Sequence, residues 1–168
     1  MKLGMRLIAV VDSSPLINLV HLELAERLHF YFDTIYVPRM VQCEVNRKSK
    51  FRHRLNKLYL KGVFKRCLIV DSVSVKFLEE LDEGEAEALV QASEKGAAVF
   101  IGDEKVARKM SEKRGIRPIG TARVLARLHQ EGYAAETDVL VRKLRRDLNC
   151  RIADQIVLDA IRIAGNPF

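Results

Sequence analysis

The chain has 168 residues, 48% hydrophobic and 30% charged, a length that suits one domain with its own core and a composition unlike that of disordered chains. No apolar stretch approaches the roughly 20 residues of a bilayer span, and the opening MKLGMRLIAVVD is apolar for too short a distance to act as a secretory leader. A net charge of +7 with a pI near 9.5 favours an anionic partner, while three scattered cysteines, Cys43, Cys67 and Cys150, form no paired ligand motif and fit a reducing cytoplasm.

In chain order, short β-branched runs alternate with helical patterns. Strands are expected at 6–11 (RLIAVV), 34–37 (TIYV), 67–70 (CLIV), 97–101 (AAVFI) and 116–119 (IRPI). Apolar residues at helical spacing fill 15–28, 38–48, 51–61, 74–95 and 104–114 between them. Such alternation implies an α/β fold, a three-layer sandwich around a mostly parallel sheet. After residue 120 no strand pattern remains. The tail reads as three helices with breaks near Gly132 and Asn149 and an end at Gly165, a helical extension of 131–168 packed on a core of 1–130.

Ligands of an open parallel sheet bind beyond the carboxyl ends of its strands. Acids stand at those places. Asp12 follows IAVV directly, and Ser14-Pro15 offers a better helix-capping signature than Asp12 does, which leaves the carboxylate for other work. Asp103 follows AAVFIG and could equally cap the helix of EKVARKMSEKRG. In LDEGEAEALVQASEKG, Glu85 shares a face with Ala88, Leu89 and Ala92 and should turn toward the sheet, where a carboxylate needs a partner or a cation. Glu87 falls with Val90, Gln91 and Glu94 on a face that looks solvated. Asp82, Glu83 and Glu87 are explained as negative charge at a helix N-terminus. Glu44, beside Met40, Val41 and Val45, reads alone as a surface acid.

If these acids met in one cleft, their mutual repulsion would need a compensating cation. Oxygen ligands without histidine or cysteine suit Mg2+ or Mn2+. Such an ion lowers the pKa of a bound water and steadies phosphoryl charge. A basic chain around it makes a phosphodiester the expected substrate.

The segments VVDSSPLINLVHL, VPRMVQCEV, LDEGEAEALVQASEKGAAVFIGDEKVARKM and RGIRPIGTARVL closely resemble the PIN-domain family, and most of all its VapC-toxin-like branch, over roughly residues 6 to 130. The resemblance implies a five-stranded sheet of order 3-2-1-4-5 and a divalent-metal ribonuclease site. By motif its four acids fall on Asp12, Glu44, Glu85 and Asp103. Metal ligation is expected of Asp12, Glu85 and Asp103, with Glu44 orienting a water or completing a second site. The chain departs from the family in having Ile101-Gly102 before the fourth acid, Glu rather than Asp as the third, and Ser13 where threonine is common. The branch further implies a cognate antitoxin; a homodimer made through the C-terminal helices is expected, with no membrane partner. A PIN-like RNA-binding or assembly protein with little catalysis is the alternative.

The stretch NRKSKFRHRLNKLYLKG carries Arg47, Lys48, Lys50, Arg52, Arg54 and Lys57 with Phe51 and Tyr59 between them. Together with Ser13 these residues could grip an RNA backbone, the aromatic rings stacking a base. The cluster VRKLRRDLN reads first as an amphipathic surface helix. His21, His29, His53 and His129 share no spacing, Asp154 reads as a first-turn acid, and Cys43 as a small buried residue.

Overall fold

The central aliphatic runs, IAVV and VFI, become strands because they can be buried on both faces of a sheet; the computed structural model describes residues 7–67, 74 and 78–168. Strands are β1 (Ile8–Val11), β2 (Thr34–Val37), β3 (Lys65–Arg66), β4 (Val99–Ile101) and β5 (Arg117–Ile119). Helices are α1 (Ser13–His21), α2 (Arg39–Asn46), α3 (Ser49–Leu60), α4 (Glu83–Glu94), α5 (Lys105–Lys113), α6 (Thr121–Gln130), α7 (Thr137–Leu148) and α8 (Asp154–Arg162), with a 3-10 turn at Ala25–Phe30. The sheet order is β3-β2-β1-β4-β5 and every described pairing is parallel. The expected α/β three-layer architecture and strand order are therefore present. No helix among the described residues is long and apolar enough to cross a membrane.

Alternation along β1 divides the core in two. Ala9 and Val11 face the layer of α1, α2, α3 and α6, and pack in one cluster with Leu16, Leu19, Val45 and Leu125. Val10 faces the opposite layer and packs with Ala88, Leu89, Phe100 and Ala107. Val141, Leu144, Val157 and Ala160 of the last two helices belong to the first of these clusters. Register places the ends of β1 and β4 side by side, Val11 opposite Ile101, and the Asp12 N–H continues the ladder by donating to Ile101 O at 2.9 Å.

Two of the expected elements have other bounds. The third strand is described at Lys65–Arg66 rather than 67–70, and residues 68–70 lie outside the described residues. The helix expected to run from 15 to 28 begins at Ser13 and stops at His21. Leu16 N–H closes its first turn on Asp12 O, so Pro15 occupies a first-turn position where no amide is needed. It ends because Glu23 adopts φ 61°, with Glu23 N–H bonding Val20 O and Leu24 N–H bonding Leu19 O. That is a Schellman closure in which a glutamate takes the glycine position, a signal the sequence does not carry. The tail follows expectation more closely: Asn149, at φ 53°, ends α7 where a break was expected.

Candidate active site

Asp12 is the residue around which the site is built. It occupies the N-cap position of α1, yet its side chain makes no capping hydrogen bond. Ser14 is exposed and lies inside the helix, so the proposed serine cap is corrected while the carboxylate is still spared from capping. Asp12 is 2% exposed, and its Oδ1 is covered with no hydrogen-bond partner among the described residues. Burial pushes its carboxyl from 3.8 up to about 8, helped by the like charges of Glu85, Asp82 and Glu44 and opposed by the Ser13 backbone N–H. A carboxylate in this condition is an unsatisfied anion in a low-dielectric place.

Two helices bring the neighbouring acids. Asp82 caps α4, accepting from Glu85 N–H at 2.8 Å, and Glu85 Oε2 reaches back to accept from Asp82 N–H at 3.2 Å. This capping box supplies the partner that a buried Glu85 needs, a local role that the residue's spacing alone does not assign to it. Burial and then the Asp82 charge still push the Glu85 carboxyl up to about 6. Glu44 is half-buried on α2 and lies over the first turn of α4. A Cβ placed on Gly84 would meet Glu44 Oε1 at 2.5 Å, so only a residue without a side chain allows that approach. Glu104, exposed after β4, adds a fifth like charge near Glu85.

Glu87 is buried rather than solvated, at 6% exposure. Its two oxygens accept from the Arg39 and Met40 N–H groups at 3.0 and 3.1 Å, capping the start of α2, where Pro38 offers no capping side chain. Helical periodicity misassigned it because α4 is covered by the sheet on one side and by α2 on the other. Residues 84 to 92 are buried without interruption.

Asp103 caps a different helix from the one expected. Glu104 holds the N-cap position of α5, whereas Asp103 accepts from Thr121 N–H at 2.7 Å and from Thr121 Oγ1–H at 2.6 Å, at the start of α6. Asn18 Nδ2 lies between Asp103 Oδ2 (3.4 Å), Thr121 Oγ1 (3.2 Å) and Cys150 Sγ (3.5 Å). Burial raises the Asp103 pKa, while the two Thr121 bonds and the Arg108 charge pull it back. Asn18 and Thr121 are both buried, and neither was among the candidate site residues read from the sequence, although Gly120-Thr121 belongs to the segment that carries the family resemblance. The signal for Thr121 was its place after Gly120 at the end of the last strand, and for Asn18 an amide on the otherwise apolar face of α1.

Basic residues surround this group unevenly. Arg47, Lys48, Lys50 and Arg52 are exposed. Lys48 lines a cleft of about 290 Å³ together with Ser14, Asp103, Glu104 and Arg151. Arg54 is occupied by Val20 O, His21 O and Glu23. Phe51 is fully buried in the core and is not available to stack a base, and Tyr59 is half-buried beneath Arg66. Ser13 is half-buried. Cys43 is exposed rather than buried, because it sits on α2 away from Val41 and Val45, the buried residues of that helix.

The unpartnered Asp12 oxygen, its raised pKa and the three like charges around it fit a cation. Among the described residues, however, no three His, Cys, Asp or Glu side chains stand together in coordinating geometry. A family model described as a PIN domain matches residues 8–166. No curated protein matches the chain.

Proposed function

The chain belongs to the PIN-domain family, broadly a family of nucleases, and on that premise we propose that it is a divalent-metal-dependent endoribonuclease. The observation that carries this reading is the buried, unpartnered Oδ1 of Asp12 amid Glu85, Asp82 and Glu44. Asp12, Glu85 and Asp103 would hold Mg2+ or Mn2+, which when bound acidifies water and steadies negative charge on phosphorus. Glu44, held against Gly84, would orient the attacking water. Thr121 and Asn18 fix the Asp103 carboxylate, so that it meets a ligand without first losing side-chain freedom. Lys48 and its exposed neighbours Arg47, Lys50 and Arg52 would receive the RNA backbone.

The test is cleavage of single-stranded RNA by purified protein in manganese. Asp12→Asn should abolish turnover and leave the circular-dichroism spectrum unchanged. Full cleavage by folded Asp12→Asn protein would end the assignment. We further propose the VapC-like role, the toxin of a toxin-antitoxin pair acting as a homodimer in the cytoplasm. Growth arrest on expression, lost in Asp12→Asn and relieved by the neighbouring gene, is the expected result, and unimpaired growth with active protein counts against it.

A second reading, an RNA-binding or assembly protein with little catalysis, is favoured by the lack of three coordinating carboxylates among the described residues. RNA binding with no cleavage in either magnesium or manganese would select it.

A further inference from the structure

On the other side of Asp103 from α1 lies a second cleft, of about 440 Å³, between β5, α6 and α8. Arg108, Arg117, Arg123 and Arg151 line it, and Ile156 and Ile163 form part of its apolar wall. The cleft shares Asp103, Arg151 and Ile152 with the smaller cleft that holds Lys48, so the two form one track past the candidate site.

The charge of this cleft is poorly compensated. Its acids are two against four arginines: Asp103, bonded by Thr121 and Asn18 and within reach of the Arg108 charge, and Asp159, engaged by Arg162 and Gln155. Arg108, Arg117 and Arg151 form no salt bridge with any described residue. Arg123 donates from Nη2 to Asn166 O at 2.6 Å, but its Nη1 is covered with no partner among the described residues. Desolvation and the neighbouring Arg127 and Arg117 charges make its protonated state harder to hold. Four guanidinium groups around a concave site, with one donor orphaned, are chemically matched to a dianionic or monoanionic phosphate, which guanidinium forks bind in pairs.

We propose that this cleft is a second phosphate subsite for the nucleic-acid strand, with Arg117 and Arg151 as the reaching donors and Arg108 and Arg123 fixing the field behind them. The inference rests on the reading of RNA as substrate and assigns the strand a path, from Lys48 past Asp103 into the arginine cleft. The apolar wall leaves room for the attached nucleoside.

Fluorescence anisotropy of a short single-stranded RNA, measured in chelator so that no cation is required, tests it. Arg117 and Arg151 are exposed, so R117Q/R151Q should fold normally. With two guanidinium–phosphate pairs removed, affinity should fall about tenfold and the slope of log K against log salt should lessen by about 1.4. R142Q/K143Q, on α7 and outside both clefts, should change neither. Weaker binding of a 5′-phosphorylated strand alone identifies a terminal phosphate, and equally weakened binding of a 5′-hydroxyl strand identifies an internal one; each supports the subsite. Unchanged binding by R117Q/R151Q, or an equal weakening in R142Q/K143Q, overturns it. Cleavage in manganese is scored separately. An active ribonuclease whose R117Q/R151Q form binds as tightly as the unaltered chain loses the subsite and keeps its function, whereas a chain that neither binds nor cleaves RNA loses both.

Discussion

Replacing Asp12 by asparagine should make the metal-free protein more stable at alkaline pH, although it destroys the proposed site. The folded carboxyl holds its proton up to about pH 8, against an ordinary value of 3.8. Folded protein therefore binds this proton more tightly than unfolded chain, and the stability it confers is fully present below about pH 4 and lost as pH rises toward 8. At about 1.4 kcal/mol per tenfold, the loss by pH 7 has an upper bound of about 4 kcal/mol, reduced by any water that reaches the carboxylate. Asparagine cannot ionise and also relieves Glu85 of a like charge. Urea denaturation in chelator should show the two proteins close at pH 5 and Asp12→Asn more stable by about 2 kcal/mol or more at pH 8. Manganese should then raise the midpoint of the unaltered chain at pH 8 and leave that of Asp12→Asn unmoved. Parallel stability curves for the two proteins from pH 5 to 8 would refute the account of a buried, uncompensated carboxylate.

Gly84→Ala should displace Glu44, because its Cβ would come within 2.5 Å of Oε1; cleavage should fall by at least about tenfold while the melting temperature shifts little. Glu87→Ala removes the acceptor of two N–H groups at the start of α2 and should cost about 1–2 kcal/mol in denaturant titration at neutral pH. Thr121→Val takes away the 2.6 Å hydroxyl bond to Asp103 but keeps the backbone one; we expect reduced turnover with a stability loss of about 1 kcal/mol, read by paired kinetics and calorimetry.

What could be read from the sequence followed from period and position. A run such as IAVV can be buried on both faces only in a covered parallel sheet, so β1, and with it the place of Asp12, was fixed by composition. The order of motifs carried the rest of the topology. What was hidden depended on a neighbour that the local pattern does not contain. Glu87 lies on the back of α4 relative to the sheet, and its burial is decided by α2. Phe51 looked available among lysines and arginines, but helical spacing aligns it with Leu55 and Leu58, the other buried residues of α3. Asp103 takes its partner eighteen residues downstream, across the β4–β5 crossover.

The Glu87 carboxylate has a mechanical consequence for the candidate site. It clamps the first turn of α2 to the body of α4, the helices that carry Glu44 and Glu85. Widening the gap between those two acids means breaking both of its hydrogen bonds in a buried place, so that wall behaves as a fixed jaw. Lys48 and Arg151, which line the cleft beside Asp103, are by contrast exposed and free of such a clamp. If the proposed function holds, the rigidity of that wall comes from an acid that is neither a proposed metal ligand nor a proposed RNA contact.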